Sequence, residues 1–368
     1  GRGETALVAT YAIWSVRSTR YWGWFLVKRL LMGAEAIAEA AVRAGLEAYF
    51  GYPITPSSEI MENLAVLYGK HISDKYKVFF QSASEVESIN LLMGAGAAGH
   101  IAMTATSGPG LSLMAEGISY AYTSEVPFVI IDVNRGGPGL GNVAPEQSDY
   151  LFVTKSLGHG GSKAIVLAPS SIQEAVDNVR MAFELSFKHR MPVIILTDAI
   201  IVHMLESVEL DHIEPVNVNA EWSARGRRNG NRHLISSIYM DPAEFSDVKI
   251  KLEEKWKNIG SLSECFMCDD AEILLVAYGI SARVAMEAVT ELRKSGIRAG
   301  VFRPITLNPF PVQDLQKAAE GSKRVITIEM NEGQMAQDIK GSLKTNVEII
   351  SFLGGVYPET EAIMEKCR

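Results

Sequence analysis

Short, mostly apolar blocks recur along this chain, at 46–50, 77–80, 101–106, 128–133, 164–167 and 193–197. Blocks of that length without polar alternation are what strands covered on both faces produce. Between them run stretches that predict helices, at 34–45, 59–67, 86–98, 111–122 and 172–189. The first ends on Gly45, a helix stop, and 90–98 is so rich in Gly and Ala that close packing is expected. Strands alternating with helices over about 170 residues predict a parallel sheet with helices on both faces. The rhythm stops at 206–245, where 221–232 reads as a solvated polar connector with arginines at Arg225, Arg227 and Arg228. A charged helix at 242–257 follows. A second α/β unit then begins, with strands at 273–278, 300–302, 324–329 and 347–352 and helices at 282–294 and 311–320. The expected organisation is an extension at 1–29, an α/β domain at 30–205, a linker region with its charged helix at 206–260, and an α/β domain at 261–368.

The amino-terminal stretch breaks the pattern. Apolar runs at 6–16 and 21–27 are separated by Arg17 and Arg20, and neither reaches the roughly 20 residues of a spanning helix. No small-residue cleavage site follows them, so neither a membrane anchor nor a signal peptide is expected. The role of 1–29 is left open.

Composition narrows the partners. At 47% hydrophobic residues the chain has material for a sizeable core, and a net charge of −8 gives no long-range attraction for nucleic acid or an anionic membrane. Cys265, Cys268 and Cys367 make no disulfide framework and fit a reducing cytoplasm. Cys265 and Cys268 form one Cys-x-x-Cys without a second ligand pair, so no zinc site is expected there.

The chemistry is placed by loops. Gly51-Tyr-Pro-Ile-Thr-Pro-Ser-Ser58 follows an apolar block and precedes a helical pattern, so it is a strand-to-helix turn, with Ser57 or Ser58 available as a cap. In a parallel sheet the loops 51–58, 81–85 and 134–142 meet at the carboxyl ends of the strands, where such folds bind ligands. They offer Thr55, Glu85 and Arg135. A partly buried Glu85 could exchange a proton near neutral pH, and as a helix-start residue it could equally serve the helix dipole. Arg135, among glycines, suits a substrate carboxylate or a neighbouring acid. The chain has no phosphate-binding P-loop, no dinucleotide fingerprint, no Gly-x-Ser-x-Gly elbow and no cysteine run for an iron–sulfur cluster.

Several segments together carry a resemblance. Gly51 to Ser58, Thr104-Ala-Thr-Ser-Gly-Pro-Gly110, Arg135-Gly-Gly-Pro-Gly-Leu-Gly141, Pro145-Glu-Gln-Ser-Asp149, Arg303-Pro-Ile-Thr-Leu-Asn-Pro-Phe-Pro311 and Glu329-Met-Asn-Glu-Gly-Gln334 resemble the alpha subunit of 2-oxoacid:ferredoxin oxidoreductases, in the branch acting on 2-oxoisovalerate or 2-oxoglutarate. The resemblance implies a pyrimidine-type thiamine diphosphate domain followed by a transketolase carboxyl-terminal-like domain that serves assembly. It implies CoA-dependent oxidative decarboxylation of a 2-oxoacid to acyl-CoA, CO₂ and reduced ferredoxin. By position, Glu85 matches the glutamate that bonds the cofactor's aminopyrimidine, with Glu87 two residues on as the competing assignment. Thr55 and Arg135 match the residues that hold the 2-oxoacid. Pro53, Ser107, Gly108 and Gly110 match the pyrimidine pocket. The Gly-Asp-Gly…Asn motif for Mg²⁺ and diphosphate is absent, so a partner beta subunit is implied to hold both. Iron–sulfur clusters are implied in further gamma and ferredoxin-like delta partners. The competing readings are a self-sufficient thiamine diphosphate decarboxylase or transketolase, and a non-catalytic scaffold subunit.

Overall fold

Residues 28–226 and 232–368 are described by a computed structural model. Nearly all of the 1–29 extension lies outside the described residues, as do Arg227 and Arg228 of the connector. The chain enters through strand β1 (Arg29–Met32) and helix α1 (Gly33–Arg43). Five strand-helix steps follow: β2 (Ala48–Gly51) and α2 (Ser58–Gly69), β3 (Val78–Gln81) and α3 (Glu85–Ala97), β4 (Ala102–Thr106) and α4 (Gly108–Ser124), β5 (Phe128–Asn134) and α5 (Tyr150–Lys155), β6 (Ile165–Leu167) and α6 (Ile172–His189). Next come β7 (Pro192–Asp198), the short α7 (Ala199–His203) and β8 (Leu205–Val208). After the charged helix α8 (Pro242–Lys257) the second unit is built from β9 (Ser263–Phe266), β10 (Ile273–Val276), α9 (Gly279–Lys294), β11 (Ala299–Pro304), β12 (Thr306–Asn308), α10 (Val312–Ala318), β13 (Arg324–Glu329), α11 (Gln334–Leu343), β14 (Val347–Ser351) and α12 (Thr360–Cys367).

The strands form a seven-stranded sheet ordered β12-β6-β7-β5-β4-β2-β3 and a five-stranded sheet ordered β14-β13-β10-β11-β9. Within these two sheets all pairs are parallel except the two edge additions, β12 on β6 and β9 on β11, and β1 with β8 makes a separate antiparallel pair. The apolar runs have a direct cause. Val129, Ile131 and Val133 of β5 face one core with α1 and α6, while Phe128 and Ile130 face the other with α3 and α4. Each such fully buried side chain contributes about 1.5–3 kcal/mol. The second core continues into the second unit through Leu274, Val276, Phe302 and Leu307, so the two sheets share one apolar layer.

Three departures from the sequence reading have local reasons. Residue 206 starts no linker, because β8 pairs antiparallel with β1, a partnership between segments far apart in the chain. Neither Ser57 nor Ser58 caps α2 with its side chain; the Ser57 hydroxyl donates instead to the Ile54 carbonyl at 2.8 Å. Within the connector, Arg225 is exposed as expected, but it is also anchored: its guanidinium donates to the carbonyls of Ala98 and Gly99 and pins the linker to the end of α3.

Candidate active site

The loops after β2, β3, β4 and β5 open at one edge of the first sheet, the carboxyl ends of parallel strands. Arg135 is the first residue after β5 and is 9% exposed. Its Nη1 donates to the Thr55 carbonyl at 2.9 Å and its Nη2 to the Leu140 carbonyl at 3.3 Å, while the buried Nε has no partner. The 51–58 turn and the arginine loop are therefore joined. The contact to Thr55 uses its backbone, which leaves the exposed threonine side chain available.

Glu85 opens α3 and is 5% exposed. Ser84 caps the helix by accepting the Glu87 N–H at 3.2 Å, and the Glu87 carboxylate accepts the Ala83 N–H at 2.6 Å. That reciprocal pair is a capping box, shifted by one residue on the return leg. Among the described residues no group donates to the Glu85 carboxylate. Space for it depends on Gly110, in the first turn of α4: a Cβ there would lie 2.6 Å from Glu85 Oε1 and would also collide with Thr106 Oγ1. Gly108 has a similar reason, since its Cβ would sit 2.9 Å from an Asp149 carboxylate oxygen. Ser107, ahead of both glycines, is fully buried with an unpartnered hydroxyl.

A cleft of about 810 Å³ opens beside these groups. Gly108, Pro109, Arg135, Leu140, Asp149 and Phe152 line it from the first domain, and Glu332 and Gln334 from the second. Thr55, Pro53, Glu85, Ser107 and Gly110 do not line it; Glu85 abuts Gly110, two residues along the helix turn from Gly108. Another hollow, of about 610 Å³ near Glu47, Lys75 and Arg225, sits at the opposite ends of the strands and meets none of the three loops.

Several groups here were not singled out from the sequence. Asp132 is fully buried on β5 beside Asp149, and among the described residues no N–H or hydroxyl group donates to either of its carboxylate oxygens. Burial, and then the proximity of Asp149, push Asp132 well above the usual carboxylate range. Burial pushes Asp149 up to about 6, against the pull of Asp132 hydrogen bonding and of Arg135. Two carboxyls so placed hold at least one proton between them at neutral pH. The available signal was an aspartate inside the apolar run 128–133. Gln147 was likewise passed over within its motif. Its side chain donates to Tyr278 O at 2.9 Å and accepts from Ser281 Oγ and Met330 N, both at 3.0 Å.

The parallel sheet with its loops gathered at one edge defines a ligand-binding α/β domain, and the family comparisons say of which class. Residues 39–260 match the pyruvate flavodoxin/ferredoxin oxidoreductase thiamine diphosphate-binding family, and residues 271–363 match core domain II of pyruvate:ferredoxin oxidoreductase. The chain is 43% identical to ketoisovalerate oxidoreductase subunit VorB of Methanothermobacter thermautotrophicus, across 93% of this chain and 98% of that one. It is 35% identical to 2-oxoglutarate synthase subunit KorA of Archaeoglobus fulgidus, across 90% and 96%. Among solved structures it superposes with a TM-score of 0.85 and 26% identity on the 2-oxoglutarate:ferredoxin oxidoreductase of Magnetococcus marinus, whose structure holds 2-oxoglutarate, coenzyme A and succinyl-CoA. That match covers 92% of this chain and 64% of the other. A split-gene transketolase, at 16% identity and a TM-score of 0.55, shares the fold alone. The chain belongs to the 2-oxoacid:ferredoxin oxidoreductase family, as a subunit of the type represented by VorB and KorA. No helix among the described residues is long and apolar enough to cross a membrane.

Proposed function

We propose that this chain supplies the pyrimidine-side half of a thiamine diphosphate site that oxidatively decarboxylates a 2-oxoacid with an apolar side chain, of the 2-oxoisovalerate type, to its acyl-CoA. The observation that carries the substrate class is the cleft lining. Its one cation among the described residues is Arg135, and it also presents two carboxylates, Asp149 and Glu332, beside apolar Pro109, Pro138, Leu140 and Phe152. One guanidinium suits one carboxylate. A dicarboxylic 2-oxoacid would bring a second anion next to acids, and like charges at such distances are repulsive. The higher identity to the ketoisovalerate relative points the same way.

The residues present fit the cofactor. Glu85 offers a buried carboxylate without a donor, set against a glycine that leaves it room, as a hydrogen-bonding aminopyrimidine requires. Pro53, Ser107, Gly108 and Gly110 would frame the ring. Bound there, thiamine diphosphate supplies the carbon nucleophile that attacks the 2-oxo group. This chain's residues then do three things. Glu85 would hydrogen-bond a ring nitrogen, Arg135 and Thr55 would fix the substrate carboxylate, and Phe152 would pack against the apolar side chain. The sequence lacks a diphosphate-binding Gly-Asp-Gly…Asn run, which supports a beta subunit as holder of Mg²⁺ and diphosphate. Iron–sulfur clusters in other subunits would carry the electrons on to ferredoxin, and we place the complex in the cytoplasm.

The test is reconstitution with its partner subunits and a viologen acceptor. Expected is a kcat/KM for 2-oxoisovalerate at least about tenfold above that for 2-oxoglutarate, because a second buried anion costs more than one methylene discriminates. The reverse order would assign the 2-oxoglutarate reaction. The isolated chain should reduce no acceptor; activity without partners would favour a self-sufficient decarboxylase.

A further inference from the structure

Immediately after the arginine loop comes Pro145 to Asp149, and three of its residues, Glu146, Gln147 and Ser148, are held by the second domain, Ser148 through its carbonyl, which accepts from Gln334 Nε2 at 2.9 Å. Gln147 is fixed on every polar group. Its N–H donates to Met330 O at 2.9 Å, its carbonyl accepts from Asn331 Nδ2 at 2.8 Å and Tyr278 Oη at 3.1 Å, and its side chain is bonded at both oxygen and nitrogen as described. Glu146, 5% exposed, does something different. One oxygen accepts the N–H of Gly137, two residues past Arg135, at 3.2 Å. The other accepts the N–H of Gly354, in the second domain, at 2.6 Å. Asn142, on the far limb of the same loop, donates to the Gly354 carbonyl at 3.2 Å. Both sides of Gly354 are thus gripped by the loop that presents Arg135.

We propose that Glu146 is a positioning residue for the 2-oxoacid: by tying Gly137 to Gly354 it lets the second domain set where Arg135 meets the substrate carboxylate. The second domain then does more than assemble; it holds the arginine loop in register and also contributes Glu332 and Gln334 to the cleft. The carboxylate is required because both its oxygens accept from backbone N–H groups. A glutamine would turn an NH₂ donor toward one of those donors and break one side of the tie.

This rests on the reading of Arg135 as the carboxylate-binding group, and the experiment separates the two. In the reconstituted complex, KM for the 2-oxoacid and for coenzyme A, kcat and the melting temperature are measured for Arg135→Ala, Glu146→Gln, their double variant and Asn142→Ala. Glu146→Gln should raise the 2-oxoacid KM about tenfold, the size of one charge-assisted hydrogen bond, with the coenzyme A KM moved less than about twofold. Asn142→Ala, at an exposed position, should raise it in the same direction by a smaller factor. In the Arg135→Ala background Glu146→Gln should add almost nothing, because its effect passes through the arginine. If Arg135→Ala is selective for the 2-oxoacid but Glu146→Gln is silent, affects both substrates alike, or multiplies the arginine effect, the positioning role is wrong while the site reading stands. If Arg135→Ala does not change the 2-oxoacid KM, the site reading falls and takes this role with it. Should Glu146→Gln fail to assemble, Asn142→Ala alone decides, and an unchanged KM there overturns the proposal.

Discussion

Glu85 and Glu87 stand two residues apart in the first turn of α3, and the Glu87 carboxylate is already engaged with the Ala83 N–H. Replacing Glu85 by Gln should lower turnover of the reconstituted complex by more than about 100-fold with assembly intact, a magnitude within the usual range for a general acid–base group. Glu87→Gln keeps an oxygen for Ala83 and should leave turnover within about threefold, at a stability cost of about 0.5–1 kcal/mol. A silent Glu85→Gln beside an inactive Glu87→Gln would transfer the role. Asp132 makes a separate prediction. Its partner Asp149 binds its proton more tightly folded than unfolded, rising from 3.8 to about 6. The folded state therefore holds more protons, and stability falls as pH rises from about 4 to about 6, by up to about 3 kcal/mol for that group. Asp132→Asn keeps the shape and removes the repulsion. Its melting temperature relative to wild type should be higher at pH 8 than at pH 5, and a pH-independent difference would show that the two acids do not share a proton.

At the scale of elements, α3 and α4 bring their first turns together, and Gly110 is the point of contact. Gly110→Ala should cost activity far more than fold, because the new methyl group displaces two side-chain ends, the Glu85 carboxylate and the Thr106 hydroxyl, while a helical position favours alanine over glycine. Turnover down by more than tenfold with a melting shift of a few degrees is the expected result; unchanged turnover would mean that Glu85 does not work from this position. How much of this was readable follows element by element. β5, β7 and α6 were legible because burial on both faces leaves long apolar runs in the strands, and because Ser171 caps a strongly amphipathic helix by accepting the Glu174 N–H. α11 was less so, since it is only 10 residues long, opens after Gly333 without a side-chain cap and carries Gly341 near its end. The meeting of Thr55 with Arg135 followed from parallel topology. Their chemical roles, and that of Glu85 against Glu87, came from the family resemblance. The Asp132–Asp149 pair and the grip of Glu146 on Gly354 join segments far apart in the chain, which no local pattern encodes.

For the whole molecule, Arg303 is the principal ionic tie between the two units. It is 2% exposed and makes a two-pronged contact with Glu174 of α6, at 2.6 and 3.0 Å, and a second with Glu264 of β9. Arg303→Ala should lower stability by about 2–4 kcal/mol, toward the low end because both glutamates reach solvent, and Arg303→Lys should not restore it, since a lysine lacks the planar fork. A rescue by lysine in thermal melts would reduce the tie to simple charge. Next to it runs β12, the short strand of the second unit that closes the outer edge of the first sheet on β6, helped by Asn308 Nδ2 on the Ala164 carbonyl at 3.0 Å. During synthesis the strand at 165–167 emerges long before residues 306–308 exist, so the growing chain carries an unpaired apolar sheet edge until the second unit has been made. Such an edge templates association between chains. A fragment cut at the family boundary near residue 260 keeps every residue proposed for the pyrimidine half-site and loses its cover, so it should precipitate where the full chain stays in solution.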